Sequence, residues 1–519
     1  MRQPKRTKGR QRQVSTVESV PAPIGGWNAR DPLANMDISE AITLQNWFPT
    51  TSDVEIRGGS TAYSTGITGD VETLAIHTAM DGTEQFFAVT DTDCYDVSSS
   101  GAGSAQTWTD QDDGKYQWLN MGDGTSNWLL MFNGSDLPKY YNGVAWVEVT
   151  GATTPAITGI TTTTIVSGCQ YHGRLFLLEK DSLSFWYLPA GVVGGAALEF
   201  NLASYATRGG YLMWAATWTF DAGDGIDDYI VFMTSEGEAI IYTGTDPSSA
   251  ALWARIGTYY IGKPLGRRSF VQFGGDLIAI VQDGAFNMSE GLKYARINER
   301  VALTDKIKSA FNKAAQSYGT AFGWQAVNHS IKNALIFNIP ISAGSQQYVV
   351  NTITGAWCNF TGWNTDVVCI YNDELYYGGT AIVQKAWVGR SDLGANIVSE
   401  AQQAFTNFEI DSQSKQMRMF RPMLLANGNL GYLSDLEVDF NPSFITGSAT
   451  YSATSGGIWD TATWDNGSWQ GGLQTIRQWQ SPSVDVGYYF SGKIKIETNT
   501  VEVRWISSDY VFEQGGIVG

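Results

Sequence analysis

Seven short apolar segments recur down the middle of this chain: EQFFAV, NWLLMF, RLFLLE, YIVFMT, LIAIVQ, ALIFNI and LYYGGT. Anchored on Phe86, Leu129, Leu175, Ile230, Leu277, Leu335 and Leu375, they lie 40 to 58 residues apart. Several follow a tight-turn signal, as at Asp81-Gly82, His172-Gly173 and Gly274-Gly275. A strand–turn–strand unit repeating every 40–50 residues or so is what a β-propeller blade looks like in sequence, and no helical repeat of that length fits. The units share apolar strands and turn residues, while no titratable residue recurs among them. The repetition is architectural, not catalytic.

Composition agrees. Charged residues make up 16% of the 519, against about 25% in an average globular chain. With 57 glycines and 19 tryptophans, the balance favours strands joined by tight turns. An apolar content of 43% is ample for a buried core. The longest apolar runs, such as Ile230–Met233 and Leu277–Val281, are far too short to span a bilayer. No 7–15-residue apolar segment of the kind found in signal peptides follows the basic N-terminus, so synthesis in a cytoplasm is expected. The four cysteines (Cys94, Cys169, Cys358, Cys369) are too few and too scattered for a disulfide framework. They read as buried reduced thiols, with a Cys358–Cys369 pair as the alternative if adjacent strands bring them together.

The net charge of −18 is unevenly spread. Residues 1–13 carry Arg2, Lys5, Arg6, Lys8, Arg10 and Arg12 and no acid, which leaves 27 basic against 51 acidic residues in the rest. An acidic body repels phosphates and is a poor candidate for tight nucleic-acid binding, whereas a wall that DNA slides past would have that sign. The six basic side chains form a partner-binding arm in this reading, directed at an acidic protein surface in preference to nucleic acid. The alternative is a solubilising tail.

Four regions separate: the arm (1–20), an N-terminal segment (21–60), the repeats (61–400) and a C-terminal region (401–519). In the second, Asp37 or Ser39 is positioned to cap a short helix through Ile42, Asn46 and Trp47 that Pro49 stops. Within the repeats, Asn142-Gly143 is the strongest hairpin signal. Over 304–317, Ile307, Phe311 and Ala314/Ala315 fall at helical spacing, with Thr304 or Asp305 as cap and Gly319 as stop. One amphipathic helix is therefore expected between blades. The last region alternates in LSDLEVDF (433–440) and KIKIETNTVEVRW (493–505), which suits a sheet with one wet face, as in a sandwich. The expected fold is all-β: a propeller of six or seven blade-like repeats plus a C-terminal β-sandwich-like platform, on which the 21–60 segment packs.

Catalytic signatures are missing. His77, His172 and His329 are far apart in sequence, and no metal motif, nucleophile elbow, phosphate-binding loop or C-x-x-C is present. The acidic groups Asp110/Asp112/Asp113 and Asp221/Asp224/Asp227/Asp228 lack calcium-loop spacing and read as solvated loops. Neither catalytic nor metal-binding residues nor a cofactor are expected. Trp459, Trp464 and Trp469, spaced by five in WDTATWDNGSW, read as a structural aromatic cluster, with sugar stacking as the alternative.

Three segments carry a resemblance. IGGWNARDPLANMDISEAITLQNWFPTTSDVEIRGG (24–59), QYVVNTITGAWCNFTGW (347–363), and WDTATWDNGSW with the closing Gly515–Gly519 stretch resemble tail hub or nozzle proteins of short-tailed bacteriophages. These are also called packaged-DNA stabilisation proteins and are similar in role to tail tubular B proteins. The resemblance implies a non-enzymatic virion protein, assembled in the bacterial cytoplasm as a homo-hexamer below the portal and its adaptor ring. Such a nozzle carries viral DNA without specific binding, retains the packaged genome until ejection, and has tail fibres or spikes docked around it. The alternative expectation is a glycan-binding or glycan-cleaving tail propeller that contacts the host surface.

Overall fold

The computed structural model describes residues 15–108, 111–221, 226–289, 302–410, 413–441, 445, 447–449, 451–453, 472–481 and 486–515. The chain divides into two compact units, one of residues 58–352 and 359–395, the other of 1–57, 353–358 and 396–519.

In the first unit the seven apolar segments become the second strands of seven successive blades among the described residues: Glu84–Val89, Asn127–Phe132, Arg174–Glu179, Ile226–Thr234, Asp276–Val281, Ala334–Ile341 and Glu374–Gly379. Each has antiparallel neighbours on both sides. Their apolar side chains are buried because a blade's middle strand is covered on both faces by the adjoining blades. Each blade touches the next, and the seventh touches the first. The ring is thus a closed β-propeller.

Closure comes from the two ends of the propeller segment meeting in one sheet. The Ser60–Thr65 strand pairs antiparallel with Ile382–Ala386, so the seventh blade takes its outer strand from the N-terminal side. A buried cluster ties the joint: Tyr377 Oη lies 2.9 Å from Ser60 Oγ and 2.6 Å from Gln384 Oε1. Tight turns connect first to second strands, as the sequence signals require. His172 (φ 47°) and Gly173 (φ 69°) make the two-residue turn between paired Tyr171 and Arg174, both in the left-handed region that a primed hairpin turn demands. Asn372 and Asp373 do the same in the seventh blade.

The expected inserted helix forms at Lys308–Tyr318, after a single 3₁₀ turn at Asp305–Ile307, between the fifth and sixth blades. Ile307, Phe311, Ala314 and Ala315 are buried, and Phe311 meets Trp324 edge-on at 5.7 Å.

The second unit is a sandwich. One sheet contains Trp47–Pro49, Val54–Ile56, Val503–Gln514 and Lys415–Ala426 side by side, with Ser15–Pro21 on the Val503–Gln514 strand. The other runs from Glu40–Gln45 through Ile397–Gln403 and Phe490–Thr498 to Leu433–Val438. Between them lies a core of Val20, Met417, Phe420, Leu436, Phe490 and Phe512. On Phe490–Thr498, Ile494 and Ile496 are buried while Lys493 and Lys495 turn to Glu437 and Glu400, so the strand alternates as its sequence does, but its charged face is largely covered.

One expectation is corrected. The short helix expected across residues 37–49 is absent: Glu40–Gln45 and Trp47–Pro49 are strands. The Ile42, Asn46 and Trp47 spacing is not one helical face: Asn46 (φ 58°) stands in the left-handed region between the two strands, and Trp47 opens the second.

Candidate functional site

The innermost strands of the propeller surround an axial cavity of about 630 Å³. Its wall takes Leu74 and Ile76 from the first blade, Trp118 from the second, Val271 from the fifth, Val327 from the sixth and Val368 from the seventh. The lining is mixed, since Gln117, Gln272, Gln325 and Asn328 stand among these apolar residues. At the end where these strands begin, a second cavity of about 250 Å³ is lined by Lys115, Asn133, Phe322 and Trp324. Arg268 and Gln117 line both and so form the partition between them.

Arg268 closes the bore. It stands just before the fifth blade's first strand and reaches across the axis to the first two blades. Its Nη1 donates to the Glu72 carbonyl oxygen at 3.0 Å, and its Nη2 donates to Thr73 Oγ1 and the Tyr116 carbonyl oxygen, both at 2.7 Å. Phe322 stacks 4.9 Å from the guanidinium and 5.4 Å from Lys115 Nζ. Burial pulls the Arg268 pKa down to about 10, with Glu72 opposing the shift, so it stays charged at neutral pH. Lys115 bridges Glu72 (3.4 Å) and Asp113 (3.6 Å) on the narrow side. Burial raises the Glu72 pKa, and one of its carboxylate oxygens has no hydrogen-bond partner.

Arg268 is the residue that the sequence reading missed. Arg267-Arg268 after Gly266 is visible as a charged pair opening an apolar strand, but its carbonyl partners lie about 150 to 200 residues away and carry no side-chain signature.

The other sequence candidates sort as follows. Arg2, Lys5, Arg6, Lys8, Arg10, Arg12, Trp459, Trp464 and Trp469 lie outside the described residues. The arm's root is described: Ser15–Pro21 pairs with the Val503–Gln514 strand, and of its seven side chains Val20 alone is buried. His77 is buried with Nε2 2.9 Å from the Asn127 carbonyl oxygen, His172 is a turn residue, and His329 is buried against Trp387. All four cysteines are buried and free, so the Cys358–Cys369 pair does not form. Among the described residues, no three His, Cys, Asp or Glu side chains gather as a metal would require. No described helix is long and apolar enough to cross a membrane.

No protein-family model matches the chain, and no curated protein sequence matches it. Solved structures similar to it include YCF48 bound to D1 peptide (11% identity, 63% of this chain and 94% of that one, TM-score 0.35). Another is BBS1N in complex with ARL6DN (11% identity, 63% and 96%, TM-score 0.38). A third is a putative 6-phosphogluconolactonase from Bacteroides fragilis (10% identity, 69% and 92%, TM-score 0.34).

Proposed function

We propose that this chain is a structural virion protein, the tail nozzle of a short-tailed bacteriophage, which lines the distal DNA channel and retains the packaged genome until ejection. The observation that carries the reading is that residues of two of the segments resembling such proteins, 24–57 and 353–358, belong to one compact unit. Residues 24–59 supply four strands of the sandwich, and Val54–Ile56 pairs directly with the closing Val503–Gln514 strand. Gly26 fits against the backbone of Trp357, where a Cβ would come within 2.5 Å of the amide nitrogen. Stretches hundreds of residues apart thus form one packed unit, as a shared architectural module requires.

The propeller's own bore is not the conduit in this account. A 630 Å³ cavity crossed by Arg268 has the size of a small-molecule pocket, so DNA must pass between copies of the chain. The acidic body suits that passage, since like charge keeps a sliding duplex from sticking. The partners are five further copies, the portal–adaptor ring above, and fibres or spikes around; the site of action is the tail of the virion. No enzymatic step is assigned. Negative-stain imaging of the purified chain tests the proposal. Rings with a central bore are the expected result, whereas solitary propellers that bind immobilised glycans would replace it with a host-surface role.

A further inference from the structure

We propose that the outer edge of the fourth blade is a docking site for an extended, acidic segment of a partner protein, which adds to the blade as one more strand. The outermost strands of the first three blades are short: Ser104–Ala105, Trp146–Glu148 and Leu198–Asn201. In the fourth blade that strand is Trp253–Tyr260, 8 residues long and paired on one side only, with Glu238–Gly244. Among the described residues, no backbone group of residues 253–260 bonds to any other element. A long free edge leaves a row of N–H and C=O groups open to pairing, and proteins ordinarily blunt it by shortness, lysine or proline. This strand carries no lysine, no proline and no acid.

The side chains along the edge define the partner's chemistry. Leu252, Ile256 and Tyr260 are 53%, 48% and 47% exposed. Ile256 is the extra residue of a β-bulge, since Gly257 stands opposite Ile241 and Arg255 opposite Tyr242. The bulge leaves Gly257–Tyr260 as a regular run with Ile256 as an apolar knob beside it. Two guanidinium groups lie over tyrosine rings here, Arg208 3.8 Å from Tyr260 and Arg255 4.9 Å from Tyr205. Both arginines are exposed, and no acidic residue occurs in 202–210 or 247–261. Glu238, opposite Tyr260, is buried and accepts from the Thr207 and Arg208 amides. On a chain of net charge −18, this edge is a basic and apolar strip. A strand that alternates acidic and apolar residues meets the arginines, Ile256 and the open backbone ladder together. Pairing of two copies through the same edge would set their arginines against one another, which disfavours a second copy as the occupant.

Fluorescence anisotropy with the full chain tests the site, using a labelled, capped peptide of alternating valine and glutamate as long as the strand. It is expected to bind saturably. A valine–lysine peptide and a fully N-methylated valine–glutamate peptide should each bind at least about tenfold more weakly, a difference of about 1.4 kcal/mol. The double substitution Arg208→Glu, Arg255→Glu, at two exposed positions, should weaken the glutamate peptide by at least about tenfold and favour the lysine peptide. Hydrogen exchange should slow within residues 253–260 on binding. No saturable binding, equal binding of the three peptides, binding that survives the double substitution, or protection confined to other strands would overturn the site. Loss of self-association in the doubly substituted chain, without peptide binding to the unsubstituted one, would also overturn it and assign the edge to a second copy.

Discussion

At the residue scale, polar groups inside the propeller set its chemical behaviour. His329 is buried, neither ring nitrogen has a hydrogen-bond partner, and it packs 5.8 Å from Trp387. Burial, aided by Lys332, lowers its pKa, so folding favours the neutral imidazole. The unfolded chain, titrating near about 6.5, then binds the extra proton, and stability falls as pH drops below that value, by up to about 1.4 kcal/mol per pH unit. His329→Leu should flatten that part of the acid limb in urea melts taken between pH 7 and 5; an unchanged slope would show that His329 is not the titrating group. The cysteines make a second prediction. Burial pushes the Cys169 and Cys369 thiols up to about 12, and Cys94 and Cys358 also well above the usual thiol range. A thiol reagent should leave the native chain unmodified and titrate four thiols only after denaturation. Rapid native labelling would place at least one sulfur at the surface. Reading these cysteines as buried thiols needed only composition, whereas the isolation of His329 depends on contacts that no local pattern announces.

At the element scale, what was legible depended on whether a strand kept its simple period. The seven second strands stood out because both faces of each are covered, giving continuous apolar runs such as LIAIVQ. The Lys308–Tyr318 helix stood out because Phe311 and Ala314/Ala315 follow the helical repeat. Glu40–Gln45 was misread because Ile42, Asn46 and Trp47 span two strands joined at the left-handed Asn46, a break whose spacing imitates a helical turn. Ring closure was not legible at all, since Ser60–Thr65 and Ile382–Ala386 pair across more than 300 residues without a shared motif. The Ser15–Pro21 strand carries the element-scale prediction. It lies along Val503–Gln514 with Ser15 opposite Glu513, so the basic arm leaves from a fixed edge of the sandwich. Its one buried residue, Val20, lies near the far end from the arm. Removing residues 1–14 should therefore leave the melting temperature within about 2 °C while impairing assembly of particles or rings. Normal yield of stable tails from the truncated chain would show that the arm is a solubilising tail.

At the scale of the whole molecule, a closed propeller and a two-sheet sandwich are built from one chain whose ends both return to the sandwich. The propeller's bore is stoppered by Arg268 at one point, so the proposed nozzle would carry its DNA channel between copies of the chain. The measurement that tests the central claim most directly is mass photometry of the purified chain at physiological salt. The account predicts a discrete species at six times the 56.7 kDa chain mass, or, with the portal–adaptor ring added, a complex heavier than that ring by six chains. A chain that stays at 56.7 kDa in both conditions would contradict it.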